Sequence, residues 1–454
     1  MCDTIVVPPT VPDGLMLFAK NSDREGDEAQ AIEILPRRTH APGATVHATY
    51  LDLPQVYETA ALLICRPYWM WGAEMGVNEY GVAIGNEAVF SRVGPEDGPT
   101  LTGMDLVRLG LERAASASAA VSTITQLAER HGQGGNGGHR HAFHYDSAFI
   151  VADPFEAYVL ECAGRHWAVE RVTGPRALSN RYSIRTGHER LSSGARDAAR
   201  DAGWWDETKP FDFAAAFAAP RLQWAAHGGP RARRAEALAT ALQAEGTIDL
   251  GDMMHVLRDH GAAGERPGWR PGGLWPDTIC AHGGPGPARR AAQTTMSLVA
   301  GLDRGLPSIW ATGGAAPCTA LFRPFFIETG MPVDEPLPTD RYNPDCLWWR
   351  QEVLHRAVIG DHEARLGAYA PARDALEDAL IAEVERARLQ ARDRSAVDRR
   401  HLLDDVAKAA WNVAEDALAR WTRIAEATPI QRPPGAFFRY HRRRLARRAP
   451  IPER

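Results

Sequence analysis

Cys2-Asp3-Thr4-Ile5-Val6-Val7, then Pro12-Asp13-Gly14, then Leu15-Met16-Leu17-Phe18-Ala19-Lys20-Asn21-Ser22-Asp23-Arg24, is the stretch on which the fold turns. Two short apolar runs joined by turn residues read as a β-hairpin. The first run begins directly after Met1, and the second ends in a polar cluster. A small side chain at position two is the situation in which the initiator methionine is normally removed. The chain then starts with one residue carrying both a thiol and a free α-amine. Reference pKa values are about 8.5 for the thiol and about 7.7–8.0 for the amine, so a base poised near neutrality sits beside its own nucleophile. The N-terminal-threonine variants of the catalytic triad use the same logic.

Outward from the hairpin, Val56–Cys65 and Gly81–Ala83 read as buried strands, and a helical pair spans about 101–131, with Leu101, Met104, Val107, Leu111, Ile124 and Leu127 at helical spacing. Gly132–Gly138 is a loop by composition. Strands return at Ser147–Ala152, Ala157–Glu161 and His166–Val172. Residues 185–275 read as helices with loops, and the run Asp277–Ala300 leads back to strand-like Ser308-Ile309-Trp310. Strands, a helical pair, strands and then helices make an α+β pattern of layered sheets. Past residue 345, Leu376, Leu380 and Val384 mark one amphipathic helix. Leu402, Val406, Ala409, Val413, Ala417 and Trp421 mark a second, beyond the charged stretch Arg386–Arg400. Both are expected to pack on the sandwich rather than form a docking surface.

At 454 residues the chain exceeds the size of a single core, so one large domain plus an appendage is expected. Hydrophobic content of 44% and charged content of 24% are ordinary for a globular protein. A net charge of −5 argues against nucleic acid as a partner. The sequence has no run of 18 apolar residues, hence no expected membrane span, and its start is not of signal-peptide type. Cys2, Cys65, Cys162, Cys280, Cys318 and Cys346 are scattered without a CxxC, which suits neither a disulfide framework nor a zinc site. Reduced thiols and a cytoplasmic location are expected, where methionine removal occurs and the nucleophile stays unoxidised.

The segments MCDT, FAKNSDRE, CRPYWMWGAEMGVNEYGVAIGNEAVF and GMDLVRLGLERA resemble the secernin/dipeptidase family of N-terminal-nucleophile (Ntn) cysteine hydrolases. More distantly, the family is related to penicillin V acylase and conjugated bile acid hydrolase. The resemblance continues through DSAFIVADPFEAYVLE, ALSNRYSI, QTTMSLVA and LFRPFF, roughly residues 2–330. It implies an α+β fold, a four-layer αββα Ntn-hydrolase sandwich with Cys2 ending a central strand. On that reading residues 2–340 form the Ntn domain and 341–454 a helical C-terminal extension with a basic tail.

The resemblance also assigns roles. Cys2 is the expected nucleophile, and Asp23 matches the aspartate that contacts the terminal amine and thiol. Asn86 matches the oxyanion asparagine, and Asn180 a second asparagine that braces the amine or the oxyanion. Lys20 stands where the bile acid hydrolase branch has arginine; it cannot make a bidentate contact but can lower the thiol pKa by its charge. That branch has a further arginine late in the fold. Here the matching region, Gln293–Ser297, has none, and Arg289 and Arg290 are out of register.

Asn78 reads as a turn residue, and Tyr68, Trp69 and Trp71 as core or the lining of a substrate mouth. His139, His141 and His144 lack a carboxylate or thiol to complete a metal set. No metal or cofactor is expected. Arg442–Arg448 reads as a solvated or packed tail. The expected activity is a cysteine-type dipeptidase or amidohydrolase cleaving small peptides or N-acyl amides through a Cys2 thioester. The alternatives are a secernin-like protein acting through partners without peptidase turnover, or an acyltransferase using the same thioester. Oligomeric state, a homo-oligomer included, is left open.

Overall fold

A computed structural model of the protein describes residues 2–11, 14–94, 96, 98–246, 248–266, 268–271, 278–283 and 292–452. Met1, the turn residues Pro12 and Asp13, Asp277, Arg289 and Arg290 lie outside the described residues. The expected hairpin forms. Cys2–Val7 pairs antiparallel with Met16–Glu25, setting Cys2 opposite Ser22 and Thr4 opposite Lys20. Both strands are buried on both faces, which explains why their apolar runs are continuous rather than alternating.

These two strands lie inside a six-stranded antiparallel sheet ordered Arg176–Ser179, Cys2–Val7, Met16–Glu25, Ala292–Leu302, Ser308–Ala311, Arg323–Phe325. An eight-stranded sheet runs Arg190–Leu191, His166–Arg171, Ala157–Ala163, Asp146–Ala152, Ala83–Val89, Met75–Asn78, Leu62–Pro67, Gln30–Leu35. The sheets pack face to face, Cys2–Val7 against Ala83–Val89 and Asp146–Ala152. Helices Gly103–Arg113 and Ala117–His131 cover the outside of the larger sheet, and Gly228–Glu245 and Leu250–Leu257 the outside of the smaller. The fold is therefore α+β, a four-layer αββα sandwich. In Ala292–Leu302 the register against Met16–Glu25 shifts between Thr294 and Met296, with Thr295 as a bulged extra residue.

Two expected strands need correction. Val56–Cys65 is not one strand but two, Glu58–Thr59 and Leu62–Pro67. The ladder breaks because Ala60 N–H goes to Glu112 O and Ala61 N–H to the Glu79 carboxylate. Gly81 belongs to a turn, with φ +80°, and the strand runs from Ala83 to Val89. Asn78 builds that turn, its Oδ1 accepting from Tyr80 and Val82 N–H.

Beyond residue 345, helices Leu347–Val358, Ala370–Arg392, Ala396–Ala427 and Ala436–Arg448 extend the sandwich. Ala396–Ala427 packs on strand Arg323–Phe325 and on helices Leu347–Val358 and Ala370–Arg392, burying Leu403, Trp411, Leu418 and Trp421. One buried apolar cluster runs from Ile5 and Phe18 through to Trp411 and Trp421. Ser395 starts the long helix by accepting from Asp398 N–H, which divides the charged stretch. Among the described residues, no helix is long and apolar enough to cross a membrane.

Candidate active site at Cys2

Strand alternation sends Cys2, Thr4 and the paired Lys20 toward the facing sheet. Cys2 is only 4% exposed. Its backbone nitrogen donates to Asn180 Oδ1 at 3.1 Å, and its carbonyl accepts from Ser179 Oγ and Arg231 Nη1, both at 3.1 Å. The thiol lies 3.7 Å from Glu74 Oε2. Lys20 Nζ sits 3.4 Å from Glu87 Oε1 and 3.9 Å from Glu74 Oε2, all three side chains buried. The lysine stem needs Gly85, where a Cβ would come within 2.6 Å of Lys20 Cδ.

Lys20 lowers the thiol pKa, as expected, but burial prevails. Burial pushes the Cys2 thiol up to about 11, outweighing the lowering by Lys20, and Glu74 raises it further. The resting thiol is therefore protonated at neutral pH. Burial works against the Lys20 ammonium as well, but Cys2, Glu87 and Glu74 outweigh it and leave its pKa raised. Glu87 is pushed up to about 8 by burial, with Lys20 opposing, so it is mostly protonated at neutrality. Thr4 Oγ1 meets Glu87 Oε1 at 2.5 Å. The buried Glu87 Oε2 has no hydrogen-bond partner among the described residues.

Of the other expected residues, Asn180 is in place. Its Oδ1 also accepts from Arg231 Nη2 (2.7 Å), and its Nδ2 donates one N–H to Ala88 O (2.9 Å). Asp23 is buried, accepts from Thr294 Oγ1 at 2.7 Å, and lies on the opposite face of its strand from Lys20. The structure does not bring Asn86 to the thiol. Gly85 and Glu87 face the smaller sheet, so Asn86 faces the covering helices. There its Nδ2 donates to Ala148 O at 3.3 Å and crowds Gly103.

Sequence reasoning missed Arg231, Glu74 and Glu87. Arg231 is fully buried and ion-paired with Asp3. It supplies an arginine to the site from the first turns of helix Gly228–Glu245, not from the strand region Gln293–Ser297. Gly228 makes this possible, because a Cβ there would meet Asn180 N at 2.7 Å. The sequence signal was Gly228-Gly229-Pro230 opening a helix, where glycine allows close backbone approach. Glu74 and Glu87 both lie within the segment that carried the family resemblance, one of them beside Asn86.

Next to these charges is an apolar patch of Met70, Ala88, Met104 and Tyr145, with Trp69 and Phe90 packed on it. Arg24 ties the patch to the site, with Nη1 3.2 Å from Glu74 Oε1 and Nη2 4.0 Å from Met70 Sδ. A cleft of about 100 Å³ opens on Tyr145 between Phe90, Ser91, His144 and Leu222. Trp71 is instead stacked under Arg108 (4.2 Å), and Tyr68 hydrogen-bonds His139. Of the three expected histidines, His139 falls beside Glu25 and Asp27, while His141 and His144 are exposed. The basic tail is anchored by buried Leu445 and by Arg442, which donates to Arg356 O, while Arg443, Arg444, Arg447 and Arg448 are exposed.

No family model matches the chain. Among solved structures, it is similar to a mutant conjugated bile acid hydrolase from Clostridium perfringens, at 14% identity over 76% of this chain and 97% of that one, with a TM-score of 0.43. A second variant of that hydrolase gives 13%, 72%, 92% and 0.42 for the same quantities. An N-acylethanolamine-hydrolyzing acid amidase orthologue from Caenorhabditis elegans gives 13%, 66%, 92% and 0.33. Likeness at this level says nothing of the chemistry, and the reading of the site stands on its own side chains.

Proposed function

We propose that the chain is a cysteine N-terminal-nucleophile hydrolase of small amides, with dipeptides as the substrate class. The observation that carries this reading is the clamp on Cys2. Its nitrogen is held by Asn180, its carbonyl by Arg231 and Ser179, and its thiol faces Lys20 and Glu74. Removal of Met1 turns that nitrogen into an α-amine with Asn180 as its acceptor. A protonated thiol needs a base, and the amine is one within the same residue. The amine takes the thiol proton, and Lys20 stabilises the thiolate as it attacks the substrate carbonyl. The tetrahedral oxyanion takes the second N–H of Asn180. Collapse breaks the C–N bond as the ammonium returns its proton to the leaving nitrogen. Water then attacks the thioester, gives a proton to the amine, and releases the acid and the thiol. Asp23, on the far face of its strand, holds the charged amine. The apolar patch around Met70, Met104 and Tyr145 takes the acyl side chain. On the same reading, residues 341–454 are an extension that supports the sandwich and take no part in the chemistry.

Intact-mass analysis tests the first step, with Met1 absent and a free amine on Cys2 as the expected result. A panel of dipeptides, N-acyl amino acids and penicillin-type amides, assayed with wild type and Cys2→Ala in parallel, tests the rest. Turnover by wild type alone is expected. Quantitative retention of Met1 in active protein, or equal turnover by both proteins, overturns the proposal.

A further inference from the structure

A second buried cluster has no part in that chemistry. His260, Cys280, His282 and Cys318 bring four ligand atoms within 4.8 Å of one another. Cys280 Sγ lies 3.6 Å, Cys318 Sγ 3.4 Å and His260 Nε2 2.9 Å from a single atom, His282 Nε2. The other ring nitrogen of His282 is 3.2 Å from His355 Nε2, and His355 Nδ1 is 3.0 Å from Glu352 Oε2. Arg356 and Gln293 hold the Glu352 carboxylate in place. An ionised carboxylate only accepts, so His355 Nδ1 carries the hydrogen. His355 Nε2 in turn faces His282 Nδ1. Two thiols and a third imidazole converge on the opposite ring nitrogen, His282 Nε2. One lone pair cannot serve three donors; a cation shared by all four groups can replace them.

We propose that His260, Cys280, His282 and Cys318 bind one Zn²⁺ as a closed structural site. Two sulfurs and two imidazoles are a tetrahedral zinc set. Bonds of about 2.3 Å to sulfur and 2.0–2.1 Å to nitrogen separate ligand atoms by about 3.3–3.8 Å. The two sulfur–nitrogen separations already fall in that range, and the two imidazole nitrogens need to part by a few tenths of an ångström. Binding releases the two thiol protons. The remaining surroundings suit a metal centre. His355, itself bonded to Glu352, orients the His282 ring through its other nitrogen. Trp269 stacks on His260 with centroids 4.2 Å apart, and His362 lies edge-on to both His260 and His282.

The site would also brace the strand that carries Lys20 and Asp23. Ala281, between two of the ligands, accepts from Thr294 N–H and donates its own N–H to Thr294 Oγ1, the hydroxyl that donates to Asp23. Asn21 Nδ2 donates to Ile279 O at 3.1 Å. Metal binding itself does not depend on the proposed hydrolase activity.

The test is elemental analysis of full-length protein purified without added metal or chelator. About one zinc per chain is expected. Cys280→Ser and Cys318→Ser should lose it, and Cys346→Ser, outside the cluster, should keep it. Glu352→Gln should lower zinc affinity about 10–100-fold. In case the ligand variants do not fold, wild-type protein is stripped and reloaded with Co²⁺. A thiolate-to-cobalt charge-transfer band with the intense visible bands of tetrahedral cobalt is expected. Wild-type protein that holds no zinc and gives no such spectrum overturns the proposal. So does an intact mass showing a Cys280–Cys318 disulfide.

Discussion

The surroundings of Cys2 and of Cys280 are two buried thiol environments built on opposite principles. Around Cys2 the polar groups are acidic and basic side chains set against one another across short distances: Lys20 with Glu74 and Glu87, Arg24 with Glu74, Arg231 with Asp3. Around Cys280 they are sulfurs and ring nitrogens, with the Glu352 carboxylate set behind His282 and His355. With two carboxylates beside one ammonium, Glu87 can take or lose a proton while Lys20 keeps Glu74 as a carboxylate neighbour. Convergent lone pairs have no such freedom and call for a cation. On the two proposals, the same residue type serves as a nucleophile in one place and as a ligand in the other.

The hardest blow to the first environment is Arg231→Met. It leaves Asp3 buried without its partner, and breaking a buried ion pair typically costs about 3–5 kcal/mol. Urea unfolding is expected to show a loss of that order, and a loss near zero would mean that Asp3 finds another partner. Next is the comparison of two asparagines. Asn180→Ala should lower kcat by about 10²–10³, the usual effect of removing an oxyanion donor, with Asn86→Ala far milder because its amide faces the helices. Steady-state kinetics on one substrate separates them, and the reverse ranking would return the oxyanion role to Asn86.

Alkylation sharpens the contrast between the thiols. With the Cys2 thiol near 11, its reaction with iodoacetamide should quicken about tenfold per pH unit between pH 7 and 10. Cys280 and Cys318 should stay protected by metal until a chelator is added. Peptide mapping by mass spectrometry checks both statements. The smallest effect concerns Glu87. Its pKa is raised from 4.5 to about 8, so between those values the folded state keeps a proton that the unfolded chain has lost. Stability contributed by this group thus falls as pH rises through that window. Glu87→Gln should flatten that slope, read as midpoint denaturant concentration against pH.

The hairpin was legible because Ile5-Val6-Val7 and Leu15–Ala19 are unbroken apolar runs on either side of turn residues, and Cys2, Lys20 and Asp23 come with them at fixed register. Asn180 was legible only through the resemblance. Arg231 was not, because a helix brings it from 229 residues away, and no local pattern marks which arginine of an Arg-rich helix turns inward. Glu87 lost out to Asn86 through parity, since neighbouring strand residues face opposite layers and a motif does not say which face is the site. The Cys280/Cys318 cluster escaped for a similar reason. Its ligands are spread over residues 260–318, with none of the tight pairs that betray a zinc finger.

The bulge at Thr295 bears on which length changes the site tolerates. Thr294 and Met296 stand on either side of it, paired with Asp23 and Ser22 respectively. Removing Thr295 would join two stretches that are already in step with Met16–Glu25, leaving Thr294 opposite Asp23 and the apolar residues from Met296 onward facing the layers they face now. A deletion within Met296–Leu302 would instead slide the rest of that strand by one place and turn Leu298 and Ala300 out of their layer. In the middle of the sheet, beside the candidate catalytic strand, the fold thus holds one residue whose deletion keeps the frame and costs only its own bonds to Gln30, Ser22 and Trp348.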